Sequence, residues 1–225
     1  MPLTENRPKP MVPVLGRPVI DYVKDAMVAA GLSEIIVTTG YQGEQLVSHV
    51  DSWNVPSRVN QEESPMGTAG SVNLLSDELT ETFVVGSGDS VASFDVADLL
   101  ESHRKSGAKV TMALWEVNDP TEFGIVGLSG ENQGQIDSNL SEGFITKFKE
   151  KPTPGEAFSN LINAGLYIIE PEVMELVHLR VRNTIFPSNC SPIFCLVVGQ
   201  CMQRQSTESG SMLVTHLNCT MHKWL

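Results

Sequence analysis

The sequence predicts an α/β protein with a mostly parallel sheet flanked by helices. Helical and strand patterns alternate along the first half of the chain, and the strand patterns are short apolar runs, which are typical of strands buried on both faces. In the clearest case, Phe83–Val84–Val85 is followed by a glycine-rich stop and then by Asp89. Ligands bind at the carboxyl ends of parallel strands. Asp89 is therefore expected either to hold a divalent cation there or to cap the next helix.

The individual elements follow from periodicity and from the residues that end it. Four prolines in residues 1–13 exclude a regular helix and predict an extended loop. Apolar residues then recur at helical spacing between Pro18 and Gly31, which predicts a helix. Further helices are predicted over residues 43–51, 68–75, 96–106 and 171–177. Strands are predicted over residues 34–38, 57–60, 83–85, 110–115, 123–128, 144–149 and 161–169.

Composition limits the class of protein. A chain of 225 residues is long enough for one large domain, alone or with a small appendage. The formal net charge of -12 argues against a nucleic-acid partner, because such binding rests on lysine and arginine. No apolar run is long enough to span a bilayer and no signal peptide is visible, so we expect a cytoplasmic protein without a membrane partner.

The composition changes near Arg180. All four cysteines lie beyond it, and Glu208 is the one acidic residue there. The spacing of the cysteines fits no zinc module. We therefore predict a domain over residues 1–180 and an atypical tail, frameshifted or disordered, over residues 181–225.

Four segments carry a family pattern. They are Pro2-Leu3-Thr4 with residues 7–14, residues 61–70 (Gln-Glu-Glu-Ser-Pro-Met-Gly-Thr-Ala-Gly), Gly88-Asp89, and Phe-Lys-Glu-Lys-Pro at 148–152 followed by Asn-Ala-Gly-Leu-Tyr at 163–167. In this order they resemble the sugar-1-phosphate nucleotidyltransferases, which join a nucleoside triphosphate to a sugar 1-phosphate and release pyrophosphate. The likeness is strongest to mannose-1-phosphate guanylyltransferases. It implies a Rossmann-like, glycosyltransferase-A-like fold.

The resemblance implies three catalytic residues. Two anions must meet in this reaction, so cations are needed to offset their repulsion. By resemblance, Lys9 lies against the triphosphate, Lys151 lies against the sugar phosphate, and Asp89 holds a Mg²⁺ ion that bridges the phosphates. The alternative for each lysine is an ordinary surface side chain.

Binding residues for the nucleotide are implied in the second segment. The Gln61 amide offers a donor and an acceptor to the base, and Gly67 allows the backbone close to a planar ring. Thr68 begins a helix whose N-terminus presents unpaired N–H groups. The alternative for Gln61 is a solvated loop amide.

Binding residues for the sugar are implied by the last segment and by Gly124, which leaves room for the sugar ring. Glu150 and Asn163 would hydrogen-bond its hydroxyl groups. Glu150 and Lys151 are adjacent, so both can reach one ligand only if the strand ends or twists there, which Pro152 favours.

Two parts of the family pattern are absent from the sequence. The chain begins inside the first motif, and the family's first strand and its Gly-Gly-x-Gly-Thr-Arg loop, with the catalytic arginine, would precede it. That strand normally lies between the predicted strands 34–38 and 83–85, so we expect these two to pair directly or to leave a gap. A Leu-Phe-Pro segment and a Trp-x-Asp-x-Gly motif with the second metal ligand are also missing. We therefore expect poor catalysis or none.

The tail is interpreted as a frameshifted reading. Back-translation of residues 188–195 with a shift of two nucleotides permits the missing Leu-Phe-Pro segment. The alternative is a genuine divergent tail.

The predicted function is transfer of a nucleotidyl group from a nucleoside triphosphate to a sugar 1-phosphate, with GDP-mannose as the product. One alternative is a non-catalytic homologue that binds a nucleotide or nucleotide sugar and regulates a partner. Another is a glucose-1-phosphate thymidylyltransferase or a further pyrimidine-specific transferase. Homo-oligomerisation is left open.

Overall fold

The computed structural model describes residues 7–40, 43–62, 67–90, 95–175, 196–201 and 214–217. The chain divides into two compact units. The first comprises residues 1–96 and 170–205, and the second comprises residues 97–169 and 206–225.

The helices and strands are numbered in chain order. The helices are α1 (Val19–Ala29), α2 (Glu44–Val50), α3 (Gly67–Asn73) and α4 (Val96–Ser106). The first strands are β1 (Pro13–Val14), β2 (Arg17–Pro18), β3 (Leu32–Thr39), β4 (Ser57–Gln61) and β5 (Phe83–Ser87). The later strands are β6 (Val110–Glu116), β7 (Gly124–Ser129), β8 (Glu142–Glu150), β9 (Leu161–Ile169), β10 (Leu196–Cys201) and β11 (Val214–Leu217).

The sheet of the first unit has the strand order β4-β3-β10-β5. Strands β3 and β4 are parallel. Strand β10 lies between β3 and β5 and is antiparallel to both, with Val198 opposite Ile36 on one side and Val85 on the other. The strands β3, β4 and β5 therefore run in one direction and β10 runs against them.

The position of β10 shows that one of our predictions was wrong. We expected β3 and β5 to pair directly or to leave a gap, and instead a later segment of the chain fills the place between them. The physical reason is that the backbone N–H and C=O groups along two facing strand edges require partners when they are buried. The β-branched residues Val197 and Val198 suit a strand in that place.

The described residues of the second unit form five strands in the order β9-β6-β11-β8-β7. Strand β11 is parallel to β8 and antiparallel to β6. Strand β7 pairs with β8 along its length and also with β9, where Ile125 is opposite Ile162. The five strands thus close on themselves. Among the described pairings only β3–β4 and β8–β11 are parallel, so the strand pairing is more mixed than the alternation of helices and strands predicted.

The core explains why the apolar runs form the strands. Residues Ile35, Ile36 and Val37 of β3 and Phe83 and Val84 of β5 are all buried, as expected for strands covered on both faces. In the second unit, the buried His103 of α4 bonds to Thr111 of β6, with 2.7 Å between Nδ1 and Oγ1. A buried polar side chain is thereby given a partner.

Most predicted elements are confirmed, with ends within two residues of those expected. Helix α4 and strand β9 match residue for residue. The predicted loop over residues 1–13 contains a 3₁₀ turn at Lys9–Met11, and its first six residues lie outside the described part of the chain. Of the last predicted helix, residues 173–175 are helical, residues 171–172 form a turn before it, and residues 176–177 lie outside the described part of the chain.

The hairpin of β1 and β2 was not predicted. Its two-residue turn, Leu15–Gly16, has φ angles of 49° and 82°. Two positive φ angles are typical of the tight turns that join antiparallel strands. Leucine is an uncommon residue in this conformation, so the sequence carried no strong turn signal.

The boundary predicted near Arg180 stays a prediction. Residues 196–201 and 214–217 of the predicted tail are strands. The rest of that tail lies outside the described residues. Within the described ranges, no helix combines the length and the apolar character needed to cross a bilayer.

Candidate functional site

The residues predicted from sequence are divided between the two units. In the first unit, β5 ends at Ser87 and Asp89 follows in the turn after it. Ser87 donates a hydrogen bond from Oγ to Asp89 Oδ1 at 2.6 Å. The other carboxylate oxygen, Oδ2, lies 3.9 Å from Lys9 Nζ. The fold therefore brings Lys9 and Asp89 together at the carboxyl end of β5.

The Lys9–Asp89 pair is accessible to a ligand. The Lys9 side chain is 47% exposed and that of Asp89 is 28% exposed. A pair this exposed adds little to stability, because water screens the attraction. Helix α4 begins at Val96, so Asp89 is not its N-cap residue.

The backbone around Lys9 is held in place by a short turn. Met11 N–H donates to Pro8 O at 2.9 Å, and Val12 N–H donates to Lys9 O at 3.0 Å. Pro10 is buried within this turn, and the two prolines restrict the backbone further. The ammonium group of Lys9 is thus mounted on a constrained segment.

The residues predicted for the nucleotide base lie at the end of β4 and the start of α3. Gln61 is the last residue of β4 and pairs in register with Thr39 of β3. Gly67 begins α3 with a φ of 67°, which favours glycine. Thr68 lies in the first turn of α3. Residues 63–66, which connect the two elements, lie outside the described part of the chain.

In the second unit, β8 ends at Glu150 and Lys151 leaves the extended conformation with a φ of 41°. The Lys151 N–H donates to Phe123 O at 2.9 Å. Neighbouring side chains on a strand point to opposite faces. Glu150 and Lys151 can therefore reach one ligand only if the strand ends between them. The strand does end at Glu150, and the backbone turns at Lys151.

Gly124 lies opposite Glu150 in the ladder between β7 and β8. A Cβ atom on Gly124 would lie 2.5 Å from Phe148 Cζ and 2.7 Å from Glu150 Oε2. Both distances are below van der Waals contact, so only glycine fits without displacement of a neighbour. The Glu150 carboxylate is therefore seated over the bare backbone of Gly124.

Asn163, near the start of β9, is held from both ends of its amide. Its Nδ2 donates to Tyr167 Oη at 2.6 Å, and its Oδ1 accepts from Gly165 N–H at 2.9 Å. Burial raises the pKa of the Tyr167 hydroxyl, and the charge of Glu150 acts in the same direction against the opposing effect of the Asn163 hydrogen bond. Tyr167 therefore stays protonated at neutral pH. One Asn163 N–H and one lone pair remain for a ligand.

Two neighbours of the predicted residues were not identified from sequence. Ser87 orients Asp89, and Tyr167 orients Asn163. The contact between Asn163 and Tyr167 carried no strong signal, because residues four apart on a regular strand lie about 13 Å apart, and here Gly165, with a φ of 74°, interrupts the extended backbone between them. Ser87 carried no signal, because a serine in a glycine-rich stop is ordinary turn composition.

The loop that follows Lys151 is fastened by Glu156. Glu156 Oε1 accepts from Lys149 Nζ at 2.6 Å. Its Oε2 accepts from the backbone N–H of Thr153 at 3.0 Å and from the Thr153 hydroxyl at 2.8 Å. These hydrogen bonds, first of all that from Lys149, lower the pKa of Glu156 to about 2.

A pH dependence follows from this carboxylate. The pKa in the folded state is below the ordinary value of 4.5, so Glu156 stabilises the fold above pH 4.5 and that contribution is lost as the pH falls towards about 2. We expect Glu156→Gln to lower the melting temperature slightly at neutral pH and by less at pH 2, where about half of the carboxyl groups are protonated. The effect is small because the pair is exposed to solvent.

Melting curves between pH 2 and pH 7 test this expectation. Glu131→Gln, at an exposed carboxylate after β7, is the matched control and should not change the pH profile. Melting curves of the Glu156 variant that run parallel to wild type over the whole range would contradict it.

Sequence comparison places the chain among known proteins. A family model described as nucleotidyl transferase matches residues 1–186. The mannose-1-phosphate guanyltransferases of Candida albicans and Schizosaccharomyces pombe are each 32% identical to the chain and cover 83% of it. The mannose-1-phosphate guanylyltransferase 1 of Arabidopsis thaliana is 29% identical over the same share. The match covers 51% of each relative, so the chain spans about half the length of these relatives.

Solved structures share the fold. HddC from Yersinia pseudotuberculosis is 22% identical with a TM-score of 0.58, over 77% of this chain and 73% of that one. An apo UDP-glucose pyrophosphorylase is 19% identical with a TM-score of 0.64, over 80% of this chain and 74% of that one. The predicted Rossmann-like α/β class is confirmed.

Proposed function

Because this chain belongs to the nucleotidyl transferase family, we propose that it binds a nucleoside triphosphate and a sugar 1-phosphate for transfer of the nucleotidyl group. GTP and mannose 1-phosphate are the proposed pair, since curated relatives that cover 83% of the chain are named for that sugar phosphate and a guanylyl group. The observation that carries the proposal is the Lys9–Asp89 pair, 3.9 Å apart at the carboxyl end of β5. A cation and a carboxylate side by side suit a metal-bound triphosphate.

The proposed reaction makes one P–O bond and breaks another. The phosphate oxygen of the sugar 1-phosphate attacks the α-phosphorus, and the bond from that phosphorus to the departing pyrophosphate breaks. Lys9 offsets negative charge on the triphosphate, and Lys151 does the same for the sugar phosphate. Glu150 and Asn163 hydrogen-bond the sugar hydroxyls, with Gly124 leaving room for the ring.

Magnesium is the proposed cofactor, and Asp89 fits it. Mg²⁺ prefers oxygen ligands and is commonly held by one or two carboxylates together with substrate phosphates and water. No group of three or more His, Cys, Asp or Glu side chains able to hold a metal occurs within the described ranges, in keeping with a site that relies on the phosphates. When bound, Mg²⁺ would neutralise and orient the phosphate oxygens. Ser87 fixes one Asp89 oxygen and so limits the directions that the carboxylate offers.

Binding measurements test the proposal directly. We expect GTP to bind in a magnesium-dependent manner, and mannose 1-phosphate to bind more tightly than free mannose. Poor catalysis or none by this 225-residue chain, followed as pyrophosphate release, stays a prediction. Binding of GDP-mannose without magnesium-dependent binding of GTP would favour the non-catalytic alternative. Failure of both substrates to bind would overturn the proposal. Tighter binding of dTTP than of GTP, together with tighter binding of glucose 1-phosphate than of mannose 1-phosphate, would overturn the proposed pair of substrates.

Lys151 and Glu150 are expected to have different roles. Lys151→Ala should lower affinity for mannose 1-phosphate by about tenfold or more, because a charge-assisted contact to phosphate is lost. Glu150→Ala should instead reduce the discrimination between mannose and glucose 1-phosphates, because its carboxylate faces hydroxyl groups and not the phosphate. Titration calorimetry with both sugar phosphates measures the two effects.

The matched control is Lys105→Ala, at a lysine of α4 in the same unit whose side chain is 74% exposed. It should leave both affinities unchanged. If neither the Lys151 nor the Glu150 variant changes sugar phosphate binding, these residues do not form the site.

A further inference from the structure

The Gln61 side chain is seated against the backbone of Gly43, the residue immediately before α2. A Cβ atom on Gly43 would lie 2.9 Å from Gln61 Nε2 and 2.9 Å from Thr39 Cγ2. Thr39 and Gln61 are register partners at the ends of β3 and β4. Gly43 is itself buried, so the ends of both strands pack on a residue that has no side chain.

The conformation of Gly43 does not explain why glycine is there. Its φ of -67° and ψ of -16° are open to every L-residue. The backbone would accept alanine, and only the neighbouring atoms would not. The space that glycine leaves free is the space that the Gln61 amide and the Thr39 methyl group occupy.

The two neighbours differ in their ability to move. Thr39 is 4% exposed and branched at Cβ, which restricts its rotamers. Gln61 is exposed, and its side chain is unbranched and flexible. An added methyl group at Gly43 would therefore displace the Gln61 amide more readily than Thr39, and its contact with the Thr39 methyl group would be relieved by a small shift of the backbone at the start of α2.

We propose that Gly43 is a positioning residue for recognition of the nucleotide base: its missing side chain sets where the Gln61 amide lies at the end of β4. The inference rests on the proposed function, because it takes Gln61 as the residue that contacts the base. Gly43 itself touches no substrate in this account. It acts through Gln61, and a larger residue at position 43 would change the choice of base without removing any group that contacts the ligand.

The experiment compares Gly43→Ala with Gly40→Ala. A Cβ atom on Gly40, the residue after β3, would meet nothing within 4 Å, so Gly40→Ala is a matched control close by in the chain. Dissociation constants are measured for GTP and for inorganic tripolyphosphate, which has no base. We expect Gly43→Ala to weaken the binding of GTP by up to about tenfold, the equivalent of one hydrogen bond. The affinity for tripolyphosphate should be unchanged. Gly40→Ala should alter neither.

A double-variant cycle separates positioning from packing. If Gly43 acts through Gln61, Gly43→Ala should have no further effect on GTP binding in the Gln61→Ala background. An equal loss of GTP affinity in that background would overturn the inference. So would equal losses of affinity for GTP and tripolyphosphate in Gly43→Ala, or GTP binding by Gly43→Ala that matches the wild type.

A second readout needs no nucleotide. The side-chain amide signal of Gln61, assigned by its loss in Gln61→Ala, should shift in the ¹⁵N spectrum of Gly43→Ala and stay in place in Gly40→Ala. An unshifted signal would show that the contact does not exist, whatever the chain binds. A shifted signal in a protein that binds no GTP would instead show that the proposed function has failed and that Gly43 has no base to select.

Discussion

Replacing Asp89 with asparagine should weaken magnesium-dependent binding of GTP by about 10- to 100-fold, the equivalent of roughly 1.4–2.8 kcal/mol. The amide keeps the shape of the carboxylate and removes the charge that a divalent cation requires. Its hydrogen bond from Ser87, 2.6 Å long in the wild type, can still form with the amide oxygen. Titration of GTP with and without Mg²⁺ measures the loss.

The melting temperature of the Asp89 variant should stay close to that of the wild type. The only described ion pair of Asp89, with Lys9, is long at 3.9 Å and largely exposed, so its loss costs little. Asp77→Asn is the control, at an exposed carboxylate of the same unit, and should change neither property. A large loss of stability with unaltered GTP binding would show that Asp89 has a structural role.

Replacing Val198 with proline should destabilise the protein by roughly 2–4 kcal/mol. Val198 is opposite Ile36 of β3 and Val85 of β5, so it lies in a strand with neighbours on both sides. Proline cannot donate a ladder hydrogen bond and is largely excluded from central strands. The carbonyl group on the neighbouring strand that accepts a hydrogen bond from the N–H of residue 198 is then left unpaired. For a protein of this size the change corresponds to a fall in melting temperature on the order of 10 °C.

The control for this prediction is Val198→Ile, which is also branched at Cβ and retains the backbone N–H. It should cost far less than the proline variant. Chemical denaturation followed by circular dichroism gives the free energy of unfolding for each variant. A proline variant as stable as the wild type would mean that residues 196–201 do not form the central strand. The segment would then belong to the atypical tail predicted from sequence.

Local sequence was sufficient to predict most elements of both units. Helix α1 begins after Pro18 and ends before Gly31, whose φ is 79°, and both signals are properties of the residues themselves. The apolar runs of β3 and β5 are long enough and sufficiently rich in β-branched residues to be typical of buried strands. Such signals act over a few residues, so no tertiary information was needed.

Strand β10 could not be predicted in the same way. A short run such as Leu196–Val197–Val198 is compatible with a strand, but the strand that it pairs with depends on which hydrogen-bonding edges are free elsewhere. The opposite direction of β10 between β3 and β5 is therefore a property of the assembled sheet. For the same reason, the family resemblance led us to expect β3 and β5 to pair directly or to leave a gap, where the chain supplies its own strand.

For the candidate site as well, the sequence predicted some features and the tertiary structure decided others. The types of residue needed for phosphate, metal, base and sugar were evident in the sequence, and so was the requirement that the strand end beside Pro152. The structure alone decided that Lys9 lies 3.9 Å from Asp89, that Asn163 is held by Tyr167, and that Gly43 leaves the space for Gln61. Motifs record the chemistry of single residues, whereas distances between residues far apart in sequence are set only when strands pair and side chains pack around them.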